Sequence, residues 1–485
     1  MKTVKCMTLT GCAAVLLSLS LASCGDNEAG SSDEVAGGGT AGDPSAIYTA
    51  PDGRANATGA IDSPVDIYTA VAKVEAGGVI YMRGGVYYLT KGVDINKIGS
   101  EATPFRLWAY GNEKPVFDCS QETVPAANNL GIRMTSGQWW HIRGLEIRNA
   151  NNSGFALRDA SHNTFERCVA HHNGGSGFHI GYDHGDRVNI DGEKAAYNTF
   201  LNCDAYNNFD WYATNGSQPA AGTNADGFAC KSCTGKGNRY IGCRAWSNSD
   251  DNWDFFECGY GIQLIDCWAW NAGVMSDHLE MYFDRTGQAL TAAVWDGNGN
   301  GFKIGGGCLM QPDRECNLES LGTHILRNCI AFNNNVNGFD QNSHRYGAVI
   351  ENCVSFNNGG RNFTFYIANQ NGTSFAFRNN VAWGSGKVDA FTAITISADE
   401  GNLWNQPALT STPAAEFVSL MPDNAKAARN ADGSLPTGFA RLKPSSVFID
   451  KGVLTPAINH AFDDISLPPI TYLGDAPDLG AFEEK

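Results

Sequence analysis

Long apolar runs are scarce in this chain. Beyond the stretch from Met7 to Leu21, no segment approaches the length of a membrane span. Helical periodicity is missing as well, so nothing points to a helix bundle. Positive charge is in short supply: 34 Lys and Arg stand against 51 Asp and Glu, a formal net charge of −17. A field of that sign disfavours nucleic acid and anionic membrane as partners. Histidine offers no metal-ligand spacing, since His179, His184, His278 and His344 stand apart. Cys230-Lys-Ser-Cys233 is a lone C-x-x-C with no second pair, and carries little weight for zinc or redox chemistry.

What is present is a repeat. Cys168, Cys203, Cys243, Cys267, Cys329 and Cys353 sit in nearly the same local frame. A small residue follows two positions on, and a ring three positions on: His171, Tyr206, Trp246, Trp270, Phe332 and Phe356. Asparagine closes each frame at Asn173, Asn208, Asn248, Asn271, Asn334 and Asn358. A phenylalanine comes next: Phe178, Phe228, Phe255, Phe302, Phe339 and Phe363. Short strands with Asn-rich turns at such a period read as an all-β solenoid, a parallel β-helix. The frame cysteines are then small buried core residues. Cys308 and Cys316 fall in an insertion, where a disulfide is open.

Three segments of the repeat carry chemistry: Asn224-Ala-Asp-Gly-Phe-Ala-Cys-Lys231, Ser249-Asp-Asp-Asn-Trp-Asp-Phe-Phe256 and Gly299-Asn-Gly-Phe-Lys-Ile-Gly-Gly306. Alternate strand residues face opposite ways. With Phe228, Phe255 and Phe302 inward, Asp254, Lys303 and Lys231 point outward from neighbouring coils. Asp226, Asp250 and Asp251 lie in the turns beside them. Residues 209–223 and 272–298 interrupt the unit after the Asn turn and are expected to wall a cleft. They bring Trp211, Tyr212, Tyr282, Arg285 and Trp295, residues suited to stacking on sugar or binding carboxylate.

Four carboxylates this close call for protons or a cation. Oxygen donors in this number suit Ca²⁺ better than Zn²⁺, which takes His or Cys. A bound Ca²⁺ lowers the pKa of a nearby lysine, and neutral lysine is a general base. The matching reaction is removal of the C5 proton of a uronate and expulsion of its C4 oxygen. Each residue also has a plainer reading: Asp capping a turn, Lys303 as a solvated lysine, Lys231 as a screen for Asp226, the insertion aromatics packing their own loops.

The three segments resemble family 9 of the polysaccharide lyases, calcium-dependent pectate and rhamnogalacturonan lyases. Ile80-Tyr-Met-Arg-Gly-Gly-Val-Tyr87 and Pro104-Phe-Arg-Leu-Trp-Ala-Tyr-Gly111 resemble the first coils of such enzymes. The resemblance implies a right-handed β-helix, with Asp226, Asp250, Asp251 and Asp254 as calcium ligands and Lys303 as catalytic base. It implies a galacturonate-containing pectic polysaccharide as substrate, with Lys231, Trp211, Arg285 and Trp295 as candidate contacts. Asn252 and Phe255-Phe256 depart from the family pattern. Two rival functions remain: a β-helix glycoside hydrolase using paired aspartates, and a non-catalytic glycan-binding lipoprotein. An acidic polymer meeting a chain of this charge needs Ca²⁺ or local Lys and Arg to invert the field.

Lys2 and Lys5 before the Met7–Leu21 stretch, ending in Leu21-Ala-Ser-Cys24, read as a lipoprotein signal over 1–23. Cys24 is the expected lipidation site, and 24–45 a flexible tether. The acidic tether resembles surface-export signals, which points to the bacterial outer-membrane surface, with the periplasmic face as alternative. Residues 46–385 are the expected catalytic β-helix, as a monomer. Residues 386–485, where the frame disappears, are an expected loop-rich extension packing on it.

Overall fold

By contact the chain divides into residues 1–39 and 40–485. The computed structural model describes residues 45–123, 128–181, 192–306, 322–370 and 372–484. Cys24, the signal segment, almost all of the tether, His184, Cys308 and Cys316 lie outside the described residues.

Among the described residues, three long parallel sheets of 12, 10 and 10 strands form the body. Each complete coil contributes one strand to each sheet, and the 12-stranded sheet gains one further strand at either end, so sheet neighbours come from successive coils. The helix Ile67–Lys73 packs its buried Ile67, Ala70 and Val71 at the first coils. Its N-terminus is capped by Asp66, which accepts from the Thr69 N–H at 2.8 Å.

One of the ten-stranded sheets carries the residues of interest. Its strands are, in chain order, β1 (Val93–Ile95), β2 (Ile132–Thr135), β3 (Phe155–Arg158), β4 (Phe178–Gly181), β5 (Phe228–Cys230), β6 (Trp253–Asp254), β7 (Phe302–Lys303), β8 (Phe339–Asp340), β9 (Phe363–Phe365) and β10 (Ala390–Phe391). A column of rings fixes which face is in. Phe155, Phe178, Phe228, Trp253, Phe302, Phe339 and Phe363 stack in register, with centroids 4.5 to 5.0 Å apart. The expected column member Phe255 is therefore displaced by Trp253, which pairs with Phe228 and Phe302. Phe255 is still buried, beyond the end of the two-residue strand. Because 253 and 255 share a strand face, Asp254 faces outward either way.

The frame cysteines are free and buried. Each thiol donates to a carbonyl of the preceding coil, as from Cys203 to Phe165 at 3.3 Å and from Cys353 to Leu326 at 3.5 Å. The asparagines form a buried amide ladder. Asn173 donates to Asn208 at 3.0 Å, Asn208 to Asn248 at 2.9 Å, and Asn334 to Asn358 at 2.9 Å. Asn271 is not a rung. It sits one residue early, at φ 53°, and Ala272 occupies the rung position, donating its N–H to Asn334. Asn252 fills the gap from the side: Asn248 donates to it at 2.9 Å and it donates to Asn334 at 3.2 Å. That gives the asparagine at 252, where the chain departs from the family pattern, a structural task.

The sheets continue past residue 385, through Ala390–Phe391 and Ile396–Glu400. The remaining C-terminal segment lies along a different sheet from β1–β10. Phe417, Phe439, Leu442 and Phe448 bury themselves with Trp268, Phe332 and Val354. Arg429 and Arg244 both clamp Asp204, at 2.6 and 2.7 Å.

The ladder should carry measurable stability. Asn208→Ala strips both the Asn173 N–H and its side-chain amide of their acceptor in a buried setting, and removes one of the two donors to Asn248. We expect a loss of about 2–4 kcal/mol from the two orphaned donors of Asn173, read as a lower denaturant midpoint. The same change at Asn271, off the ladder, should cost less than half as much.

Candidate active site

Asp226 lies in the turn before β5, Asp250 and Asp251 in the turn before β6, and Asp254 ends β6. Lys231 follows β5 directly, and Lys303 ends β7. Asp254 and Lys303 are register partners on adjacent strands. The four aspartates each offer a carboxylate oxygen within 4.8 Å of the others, and all four are buried. Two ammonium groups sit among them. Lys231 Nζ is 2.7 Å from Asp226 Oδ2 and 2.6 Å from Asp254 Oδ2. Lys303 Nζ is 2.9 Å from Asp251 Oδ2 and 3.2 Å from Asp254 Oδ2.

Backbone and side-chain donors hold the carboxylates in place. Ser176 donates to Asp226 at 3.1 Å, as does the Asp251 N–H at 3.3 Å. The Asn298 N–H reaches Asp250 at 3.1 Å. Asn300 reaches Asp251 twice, through its N–H at 2.9 Å and its side-chain amide at 2.8 Å. These last donors close the 272–298 insertion, whose neck is pinched where Gly273 and Gly299 touch backbone to backbone. Both have φ near 70°, and a Cβ on either would collide with the opposite strand of the neck. Asp254 Oδ1 is buried with no hydrogen-bond donor, and Asp251 Oδ2 has only the Lys303 ion pair, outside hydrogen-bond alignment.

The charges are not in balance. Four carboxylates against two ammoniums leave two negative charges in a space closed to water. Burial pushes Asp226 up to about 7, outweighing the adjacent Lys231, with Asp254 and Asp251 adding to the rise. Burial and Asp251 likewise drive Asp250 well above the usual carboxylate range. Asp254 is also opposed by burial, yet Lys231 and Lys303 together hold it low. Burial works against the Lys303 ammonium, but the surrounding aspartates, led by Asp251 and Asp254, hold its pKa well above normal.

The two insertions pack against each other. Phe209, Ala221, Tyr282 and Leu290 form a small core with Trp211 and Trp295 against it, and Ala221 bridges to Trp295. Trp295 stacks on His278 and lies near Phe209. Arg285 lies over the Trp211 ring at 4.8 Å and donates to Asn149 at 3.2 Å. Tyr212 is largely exposed and lines a cavity of about 420 Å³ together with His179, Asp210 and Lys231. Asp210, Ser176, Asn298 and Asn300 escape a motif-based reading. Asp210 accepts from the Asn224 N–H at 3.0 Å and so fixes the turn that presents Asp226. Only Asn300, inside a quoted motif, left a signal in the sequence.

The fold and this cleft are those of a polysaccharide lyase. The chain belongs to the Pel9A-like right-handed β-helix family, whose model matches residues 47–380. It is 33% identical over 447 residues to pectate lyase L of Dickeya dadantii (strain 3937), covering 90% of each chain. It is 30% identical to pectate lyase PEL9 of Emericella nidulans, over 81% of this chain and 91% of that one. The crystal structure of pectate lyase Pel9A superposes with a TM-score of 0.70 at 32% identity, covering 90% of this chain and 96% of that one. A rhamnogalacturonan lyase shares the fold, with a TM-score of 0.66 at 24% identity.

The acidic cluster sets a pH dependence for the metal-free protein. Asp226 and Asp250 have folded pKa values raised above the unfolded value of about 3.9. Their contribution is complete below that value and is lost as pH rises through the folded values, which for Asp226 is about 7. In chelator, Tm should fall between pH 4 and pH 7. Asp226→Asn should flatten the decline, and a divalent cation should reverse it.

Proposed function

We propose that the protein cleaves polygalacturonate by β-elimination, with Ca²⁺ held by Asp226, Asp250, Asp251 and Asp254 and with Lys303 as the base. The observation that carries this reading is the register pair of Asp254 and Lys303, which sets Lys303 against the cluster at its outward rim, where Lys231 is the other lysine in contact among the described residues. The donor set fits the metal. It is all oxygen, it carries two uncompensated charges, and it includes the Asp254 oxygen with no donor. Bound there, Ca²⁺ would neutralise the uronate carboxylate and acidify its C5 proton.

The rest falls to the chain's own side chains. Lys303 is held protonated while the aspartates are uncompensated, so neutralising them lets it act as a base. Lys303 Nζ takes the C5 proton, the C5–H pair forms the C4=C5 double bond, and the C4–O bond breaks towards the departing chain. A solvent proton completes the new hydroxyl, leaving a 4,5-unsaturated uronate end. Lys231, salt-bridged to Asp226 and Asp254, keeps those carboxylates oriented and adds positive charge beside the substrate carboxylate. The relatives at 30% identity and above are named pectate lyases, which favours homogalacturonan over rhamnogalacturonan. A hydrolase would leave Lys303 without a task.

Incubation with polygalacturonate should give ultraviolet absorbance from the unsaturated product, abolished by chelator and restored by Ca²⁺. New reducing ends without that absorbance would refute the lyase reading. Lys303→Ala should lower kcat by about 10²–10⁴. Lys303→Arg, which keeps the charge but cannot deprotonate, should be equally poor. The wild-type rate should rise with pH as Lys303 loses its proton, and an acidic optimum would count against it.

A further inference from the structure

We infer that His179 and Tyr212 form a sugar-binding subsite about two units from the scissile bond, one that holds the hydroxyls of a uronate rather than its carboxylate. This rests on the lyase reading above. A cavity of about 420 Å³ lies beside the acidic cluster, lined by Ser176, His179, Asp210, Tyr212, Asn224 and Lys231. With Phe178 and Ile180 buried, His179 points outward from β4. Its row continues through Ala229 to Asp254 and Lys303. Two coil spacings, about 10 Å, separate β4 from β6. An extended uronan advances by close to one coil spacing per sugar, so the unit over His179 is about two from the one being cleaved.

The charged groups of this cavity are already engaged. Lys231 Nζ is held between Asp226 and Asp254. Asp210 accepts from the Asn224 N–H, the Asn224 side-chain amide and the Ser249 hydroxyl. Ser176 donates to Asp226. His179 differs. Its register partners are Ala156 and Ala229, which bring no polar side chain to its ring. Among the described residues the imidazole forms no hydrogen bond. Burial first, and the Arg158 and Lys231 charges next, keep it neutral. A neutral imidazole carries one N–H donor and one acceptor nitrogen, the complement of a sugar hydroxyl. A carboxylate is better matched by a cation with paired donors.

The 209–223 insertion supplies the wall. Gly174 leaves room for the Trp211 ring, whose Cη2 lies 2.7 Å from where a Cβ of residue 174 would be. With Trp211 seated there, Tyr212 meets it edge-on at 5.6 Å and stays largely exposed at the cavity. An open ring on the wall and a neutral donor and acceptor on the floor suit a sugar, which offers C–H faces and hydroxyl edges.

The test uses the full chain carrying Lys303→Ala, with Ca²⁺, so that bound oligomers persist. Hexagalacturonate is titrated calorimetrically, as is Ca²⁺ alone. Adding His179→Ala should weaken hexagalacturonate binding about three- to tenfold and leave Ca²⁺ binding unchanged. His179→Gln, which keeps a neutral donor and acceptor, should recover most of the loss, whereas His179→Lys should not. Tyr212→Ala should weaken the oligomer in the same direction, and Tyr212→Phe, which keeps the ring, should match the parent. In the otherwise wild-type enzyme, His179→Ala should raise KM for polygalacturonate and spare kcat. Hexagalacturonate affinity of His179→Ala within about twofold of the parent, or loss of Ca²⁺ binding along with it, overturns the subsite. Recovery by lysine but not by glutamine overturns the assignment to hydroxyls. Failure of the parent to bind any uronate oligomer, with no cleavage by the wild type, overturns the lyase reading and this proposal with it.

Discussion

In-register stacking of like side chains, one coil above the next, is the constraint on which the rest of this molecule depends. Parallel coils repeat at about 4.8 Å, a distance that suits both stacked rings and amide-to-amide hydrogen bonds. The ring column from Phe155 to Phe363 uses the first, and the ladder through Asn173, Asn208 and Asn248 uses the second. Slipping any coil by one residue would turn its ring outward and its charged neighbour inward. The column therefore does more than fill the core. With Trp253 and Phe302 stacked at 4.8 Å, Asp254 and Lys303 have no choice but to stand side by side on the outer face.

That rigidity lets the fold hold an arrangement that electrostatics opposes. Four aspartates are buried together with two lysines, and removing water from them raises Asp226 and Asp250 rather than pairing every charge. The arrangement survives because three of the four carboxylates are set by donors on a fixed backbone, Ser176 for Asp226, Asn298 for Asp250 and Asn300 for Asp251, while the two lysines hold Asp254. Stability contributed by the solenoid is thus used to hold carboxylates together against their mutual repulsion, a local conflict of the kind expected where a protein does chemistry. The lysine follows the same logic, since its proton is held by the very carboxylates that a cation would neutralise.

The sequence made the repeat and the charged cluster legible because both are periodic. The cysteine frame, the rings three positions on and the acidic turns recur at fixed offsets, and strand alternation converts offsets into faces. Two errors of phase show where that logic weakens. The repeat puts Phe255 in the column that Trp253 occupies, and makes Asn271 a rung where Ala272 stands and Asn252 reaches across. In both cases a ring or an asparagine lies within two residues of the true position, so composition alone cannot choose. The insertions gave less. Trp211, Arg285 and Trp295 are engaged with Phe209, His278 and Asn149 by contacts that no period announces. Donors such as Asn298 and Ser176 act through backbone or a single hydroxyl, and leave no pattern of their own.

Charge distribution follows from the same division of faces. Away from the cleft, arginines are consumed in compact pairs: Arg244 and Arg429 on Asp204, Arg327 and Arg378 on Glu351. The segment after the last coil lies along the aromatic stack of a different sheet, leaving the outward row of the cleft sheet to present Lys231 and Lys303. A polyanion near this protein therefore meets two fields. At a distance it meets the net charge of −17, which solution ions screen beyond about 8 Å. Within that distance it meets Lys231 and Lys303, set among aspartates that a divalent cation would turn from repulsive to attractive. Recognition of an acidic polymer by an acidic protein is then a matter of geometry: the cations are few, but the coils line them up along one face.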